Sequence, residues 1–192
     1  MINLMLAKFS ILVKFFEPGK IRGRGGEALY GFVLNEAAKI SSDYAQFLHD
    51  SKRIKPFSIS PLIIERLGEG VELKNGYLNI EKNAMAKVSI SVLDEVSVSI
   101  FMKALIDTYQ QNNVVNIGGL KAVIEEVFIK EKEGAKFERY SDLLKKAKKN
   151  KKIIFKFLTP MSFRQKGIQT IFPLPELVFS SLLETWNAFS DV

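Results

Sequence analysis

The chain has 192 residues, 47% of them hydrophobic, with a formal net charge of +7, one histidine and no cysteine. That much apolar side chain supports one or two packed domains and excludes a disordered chain. Without cysteine there are no disulfides, thiolate metal sites or cysteine nucleophile, which suits a cytoplasmic protein, and one histidine excludes any site built on two imidazoles.

The charge is unevenly spread. Residues 1–60 carry nine basic and five acidic side chains, 61–144 ten and thirteen, and 145–192 nine and three. Two basic ends around an acidic middle fit a polyanion lying across part of the surface.

The N-terminal run lacks a basic start and is interrupted by Lys8 and Lys14, so it reads as a buried strand over 3–16 rather than a signal peptide. No stretch reaches the roughly 18 apolar residues of a membrane span. Glu17-Pro18-Gly19 ends the strand, and Lys20-Ile21-Arg22-Gly23-Arg24-Gly25-Gly26 reads as a flexible cationic loop. Arg22 and Arg24 are candidate phosphate contacts, or simply solvated arginines; the P-loop spacing and its Lys-Ser/Thr ending are missing.

Leu29, Phe32, Val33, Ala37 and Ile40 recur at helical spacing, and after Ser41-Ser42-Asp43 a second helical face opens with Tyr44, Phe47 and Leu48. His49 ends this short helix. Lys52, Arg53 and Lys55 follow, Pro56 forbids further helix, and the alternation of Phe57, Ile59, Leu62 and Ile64 predicts a strand over 55–66. On spacing alone, His49 is a histidine favoured at a helix C-terminus by the macrodipole. Tyr30-Gly31-Phe32-Val33 looks like part of an RNA-recognition sheet signature, but its flanks are helical; Tyr44 reads as an aromatic at the edge of the core.

Downstream, Asn75-Gly76 predicts the turn of a hairpin joining 71–73 to 77–80. Residues 86–93 alternate as a strand, and Asp94 caps a helix running to about Tyr109. After Gly118-Gly119 a strand over 120–130 is predicted, with Leu120, Ala122, Ile124, Glu126, Phe128 and Lys130 on one face and Val123, Val127 and Ile129 on the other. This order is the βαββαβ ferredoxin-like plan with an inserted hairpin, an α+β fold. The acidic pairs Asp94-Glu95 and Glu125-Glu126 read as a helix cap and as opposite faces of a strand, so neither a metal nor a nucleotide cofactor is expected.

Residues 131–152 read as a charged connector with a helical piece from Tyr140 to Lys149. It ends in six lysines, Lys145, Lys146, Lys148, Lys149, Lys151 and Lys152, which touch RNA or form a solvated linker face. A strand over Ile153–Leu158 and a helix to about Phe189 follow; the helix stripe Val178, Leu182, Trp186 and Phe189 predicts core packing. The expected division is a first domain over 1–133 and, over 134–192, the connector and the first strand and helix of a second, incomplete ferredoxin-like domain.

Two blocks carry a family resemblance. Tyr30 and His49 ahead of Lys55-Pro56-Phe57-Ser58-Ile59-Ser60-Pro61-Leu62 form the first; Phe157-Leu158-Thr159-Pro160-Met161-Ser162-Phe163-Arg164, the run from Phe172 to Leu183 and Trp186-Asn187-Ala188-Phe189 form the second. In that order they resemble the CRISPR RNA-processing endoribonucleases, the Cas family numbered six within the RAMP superfamily. The resemblance implies metal-independent cleavage of CRISPR repeat RNA to a 2′,3′-cyclic phosphate, with Tyr30, His49 and Lys55 as the catalytic set and Lys52 as rival for the lysine role. Candidate RNA contacts are Arg22, Arg24, Lys52, Arg53 and the six lysines of 145–152. CRISPR effector proteins and a second copy are further expected partners.

Two other readings stand beside it: a non-catalytic RNA-binding or assembly subunit of the same superfamily, and a protein-interaction module whose lysines only solubilise. The family's Gly-rich C-terminal loop has no counterpart after Trp186. The expectation is therefore a fragment of a longer protein, or a chain that another chain completes. Its uncovered apolar faces predict self-association at high concentration, measurable by sedimentation velocity; a monodisperse monomer would count against that.

Overall fold

The computed structural model describes residues 5–50, 54–62, 71–130, 135–149, 152–157, 161–165 and 168–190. They fall into two units, Met1–Arg139 and Tyr140–Val192. No helix among the described residues is long and apolar enough to cross a membrane.

The first unit runs β1 (Met5–Phe15), β2 (Gly19–Arg22), α1 (Gly26–Ile40), α2 (Ser42–His49), β3 (Phe57–Ile59), β4 (Val71–Lys74), β5 (Tyr77–Ile80), β6 (Met85–Val92), α3 (Glu95–Gln110), β7 (Val115–Ile117), β8 (Leu120–Phe128) and β9 (Lys136–Arg139). The main sheet has the order β3-β6-β1-β8-β7, with every pairing antiparallel. Taking β1, β3, β6 and β8 as the four strands of the plan and α1 with α2, then α3, as its crossovers gives the ferredoxin-like arrangement predicted from the sequence. β1 lies between β6 and β8, and its alternate residues Ala7, Phe9, Ile11, Val13 and Phe15 bury one face in the core, while on the other face Lys8 is exposed and Lys14 pairs with Glu125.

Several local features differ from the sequence reading. Residues 19–22 form β2, which pairs with β5 of the hairpin in a separate three-stranded sheet. The cationic loop is thereby reduced to a turn. Gly25 holds φ 80° at the N-terminus of α1, and a Cβ there would lie 2.8 Å from the buried Leu62, so only glycine fits both the backbone and the space. β3 spans only Phe57–Ile59, and positions 63–66 of the predicted strand lie outside the described residues. Residues 136–139, read as connector, form β9 on Met5–Lys8 of β1.

The two faces assigned to residues 120–130 are also corrected. Leu12 pairs with Glu126 but Val13 with Ile124, so Glu125 is an extra residue in β8. Such a bulge reverses the alternation beyond it. Leu120, Ala122 and Ile124 before it, and Val127 and Ile129 after it, all pack on the core, while Glu125 pairs with Lys14 at 3.3 Å on the surface.

A buried polar pair ties α1 to α3, and a side-chain cap fixes the start of α3. Glu36 of α1 is 3% exposed, accepts a hydrogen bond from Thr108 of α3, and is 2.6 Å from the Lys39 ammonium. At the start of α3, the Asp94 carboxylate accepts from the Ser97 backbone N–H at 2.8 Å and from its hydroxyl at 2.6 Å.

The second unit contains α4 (Tyr140–Lys146), a hairpin of β10 (Phe163–Gln165) and β11 (Ile168–Thr170), and α5 (Pro175–Phe189). Tyr140 is buried against Trp186, edge to face at 5.0 Å. The strand expected at Ile153–Leu158 is not formed over 152–157. The stripe on α5 is only partly packed: Val178 is buried, whereas Leu182 is 55% exposed.

Candidate active site

The C-terminus of α2 is where the catalytic candidates meet. Ser41 caps the helix start by accepting the Tyr44 N–H at 3.2 Å, and the fully buried Leu48 anchors its last turn in the core. His49 is the final helical residue and is exposed. Tyr30 reaches across from α1 and donates its hydroxyl to the Leu48 carbonyl at 2.9 Å. The Lys55 ammonium donates to the Asp50 carbonyl. A helix end leaves carbonyls without intrahelical partners, and a hydroxyl and a cation are what such carbonyls attract. Tyr30 and Lys55 are thus held on the two residues that flank His49.

The ring of Tyr30 is fixed from below. It stacks on Phe57 of β3 at 5.8 Å, Phe57 meets Phe101 of α3 edge to face at 5.1 Å, and Phe101 meets Tyr44 at 6.3 Å. Tyr44 in turn stacks on Phe47 at 5.8 Å. Five aromatic rings therefore run in one chain beneath α2, from Tyr30 at one end to Phe47 at the other. Each contact adds about 0.5 to 1.5 kcal/mol beyond burial. Phe57, which sequence reading placed on a strand, and Phe101 and Ser97, which it did not single out, supply this support. Their only signal was apolar or capping character on a neighbouring strand and helix.

Tyr44, read as an aromatic at the core's edge, is packed in that way and bonded to Ser97. Because the Ser97 hydroxyl proton goes to Asp94, Tyr44 must donate. Burial pushes the Tyr44 phenol up to about 12, with the Asp94 charge acting in the same direction. An unfolded tyrosine ionises near pH 10. The folded value is the higher, so this contribution to stability is complete below about pH 10 and is lost as the pH rises through about 12. In a spectrophotometric titration of tyrosinate, Tyr44→Phe should remove a step near pH 12. An unchanged alkaline limb would mean that Tyr44 is not so buried.

The basic candidates are dispersed. Arg22, on β2, and Arg24, in the turn after it, are exposed in the first unit. Lys145 and Lys146 lie on α4, Lys145 paired with Asp142 at 3.5 Å, and Lys148, Lys149 and Lys152 are exposed after the helix, all in the second unit. Lys52, Arg53 and Lys151 lie outside the described residues. Among the described residues, no three His, Asp or Glu side chains gather as metal ligands.

Residues 155–192 match the family model described as CRISPR-associated endoribonuclease Cas6. Among solved structures, a Cas6 product complex superposes with TM-score 0.72 at 24% identity, over 98% of this chain and 66% of its own length. The chain shares the fold of solved Cas6 structures, and its C-terminal residues match the Cas6 family model. Thermus thermophilus Cas6 aligns with TM-score 0.64 at 23% identity, over 98% of this chain and 63% of that one. A Cas6-related protein from Pyrococcus furiosus gives 0.59 at 13% identity, over 97% and 71%. No curated protein matches by sequence. The chain thus spans just under two thirds of the first solved structures it matches. The family model falls wholly in the second unit and does not reach Tyr30, His49 or Lys55 in the first.

Proposed function

We propose that this chain acts as a metal-independent endoribonuclease on CRISPR repeat RNA, with its catalytic centre at the C-terminus of α2 and its second unit beginning a second ferredoxin-like domain. The observation that supports this most is the gathering of Tyr30, His49 and Lys55 on three consecutive residues, 48 to 50, with the imidazole exposed. In the reaction the RNA 2′-hydroxyl attacks the adjacent phosphorus, the bond to the 5′-oxygen breaks, and a 2′,3′-cyclic phosphate and a 5′-hydroxyl result. His49 moves the proton, Lys55 offsets the charge that builds on the phosphorane-like transition state, and Tyr30 orients the helix end that carries His49. Its hydroxyl reaches the RNA only by giving up the Leu48 carbonyl.

A second reading is favoured by the same two hydrogen bonds. Both polar heads beside His49 are engaged on backbone carbonyls, as they would be in a non-catalytic RNA-binding subunit that assembles with CRISPR effector proteins. Incubation of the full chain with labelled repeat RNA in EDTA separates the two. Cleavage supports the enzyme, retention without cleavage supports the binding subunit, and neither would discard both.

Retention should fall linearly on a log-log plot against salt, with a slope of about −0.7 per phosphate neutralised on single-stranded RNA. Replacing Lys145, Lys146, Lys148, Lys149, Lys151 and Lys152 by glutamine should flatten that slope. An unchanged slope would assign them to a solvated linker.

A further inference from the structure

The small sheet of β2, β5 and β4 turns Ile21, Leu78 and Ile80 into the core, and its register fixes what stands on the opposite face. Tyr77 is directly opposite Arg22 on one side and Lys74 on the other, so the three side chains share one row with the tyrosine in the middle. All three are exposed, Tyr77 to 45%. At the same end of the sheet the Gly23 N–H donates to the Gly76 carbonyl at 2.8 Å, which ties the turn before Arg24 to the tip of the hairpin.

Neighbouring strands lie about 4.8 Å apart, so Arg22 and Lys74 stand roughly 10 Å from one another across the ring. A guanidinium and an ammonium on long stems reach phosphates on either side of a flat group lying on the tyrosine. Single-stranded RNA supplies that combination, a base to stack and a phosphate before and after it, and aromatic side chains on a sheet are a common platform for such bases. A double helix hides its bases, and a lone phosphate would leave the ring unused. Lys20, two residues before Arg22 on the same face, and Arg24 in the turn are exposed and continue the basic path. By register Glu72 falls in the Lys20 row, opposite Asn79, so the row beside the hairpin tip is the one whose ionic residues are both basic.

Resting on the reading of the chain as an RNA-binding protein, we propose that Arg22, Tyr77 and Lys74 clamp one unpaired nucleotide, a contact built from none of the residues at the end of α2. The base stacks on Tyr77, and Arg22 and Lys74 hold the phosphates that flank it. Stacking uses the flat face that every base has, so the clamp grips a single strand without selecting its sequence.

The test uses the full chain and two labelled RNAs, the repeat and an unrelated single strand of equal length, each carrying 5-bromouridine at one position at a time. Ultraviolet crosslinks, mapped by mass spectrometry, are expected at Tyr77 with both. Tyr77→Leu should remove them and weaken both RNAs roughly 5- to 150-fold at an unchanged salt slope, whereas Tyr77→Trp should keep the affinity. Arg22→Gln combined with Lys74→Gln should instead flatten the salt slope by about 1.4, which is two phosphates at about 0.7 each. Because Tyr77 is exposed, the melting curve of the Tyr77→Leu chain should stay close to the parent's, separating a stacking defect from a folding one. Crosslinks that never fall on Tyr77, affinity unchanged in Tyr77→Leu, or a parent chain that binds neither RNA overturns the proposal. His49→Ala, used to prevent cleavage, should keep the crosslink. A chain that holds the unrelated strand at Tyr77 but neither prefers nor cuts the repeat would end the CRISPR reading and leave the clamp standing.

Discussion

Replacing His49 by alanine is expected to lower cleavage of repeat RNA by about 10²- to 10⁴-fold while RNA affinity barely changes. General acid–base catalysis acts on the transition state rather than on ground-state binding. The substitution should be structurally mild, since His49 is exposed and the helix end is held by its neighbours, Leu48 in the core and Lys55 on the Asp50 carbonyl. Tyr30→Phe should slow cleavage by a smaller factor, because it keeps the ring stacked on Phe57 and loses only the hydrogen bond to Leu48. Lys55→Ala should reduce both rate and affinity, since a cation binds phosphate before it stabilises the transition state. Single-turnover kinetics in EDTA, with binding measured in parallel, read all three. A chain that cuts RNA at its full rate with alanine at position 49 would disprove the mechanism.

The largest effect on stability is expected from Phe57→Ala. Phe57 is 7% exposed, stacks on Tyr30 and meets Phe101 edge to face, so truncation removes two ring contacts and leaves a cavity between β3 and α3. Phenylalanine-to-alanine changes in cores cost about 3 to 5 kcal/mol, a large part of the roughly 5 to 15 kcal/mol that holds a domain folded. Thermal melting should shift down by roughly 10 °C or more. Phe57→Leu, which keeps most of the volume, should cost about 1.5 kcal/mol or less. Where Phe57→Ala is still folded, its cleavage should also fall, because Tyr30 has lost the ring that orients it. A melting curve within 2 or 3 °C of the parent, roughly the shift from 1 kcal/mol, would show that the aromatic chain carries little of the stability.

Much of the fold was legible from period and punctuation. The βαββαβ order followed from apolar spacing. The Asn75-Gly76 turn, both residues at positive φ, and the Asp94 cap follow from local chemistry that needs no tertiary information. β2, β7 and β9 were not legible, because strands of three or four residues carry too few alternations to register and form only where a partner edge is waiting. The bulge at Glu125 is of the same kind. Nothing in Ile124-Glu125-Glu126-Val127 announces it, and it exists because both Ile124 and Val127 have a core to reach.

At the site, the sequence alone determined that a lone histidine ends a short helix, with a tyrosine one helix earlier and lysines just beyond. Those are facts of spacing, and backbone periodicity is enough to predict them. Only the tertiary structure decided that Tyr30 and Lys55 come to the carbonyls on either side of His49, and that Tyr44 is buried against Ser97. These positions depend on β3 and α3 meeting beneath α2, where Phe57 and Phe101, 44 residues apart in the chain, come into contact. A long-range meeting of this sort is set by the burial of both rings together, which no local pattern encodes.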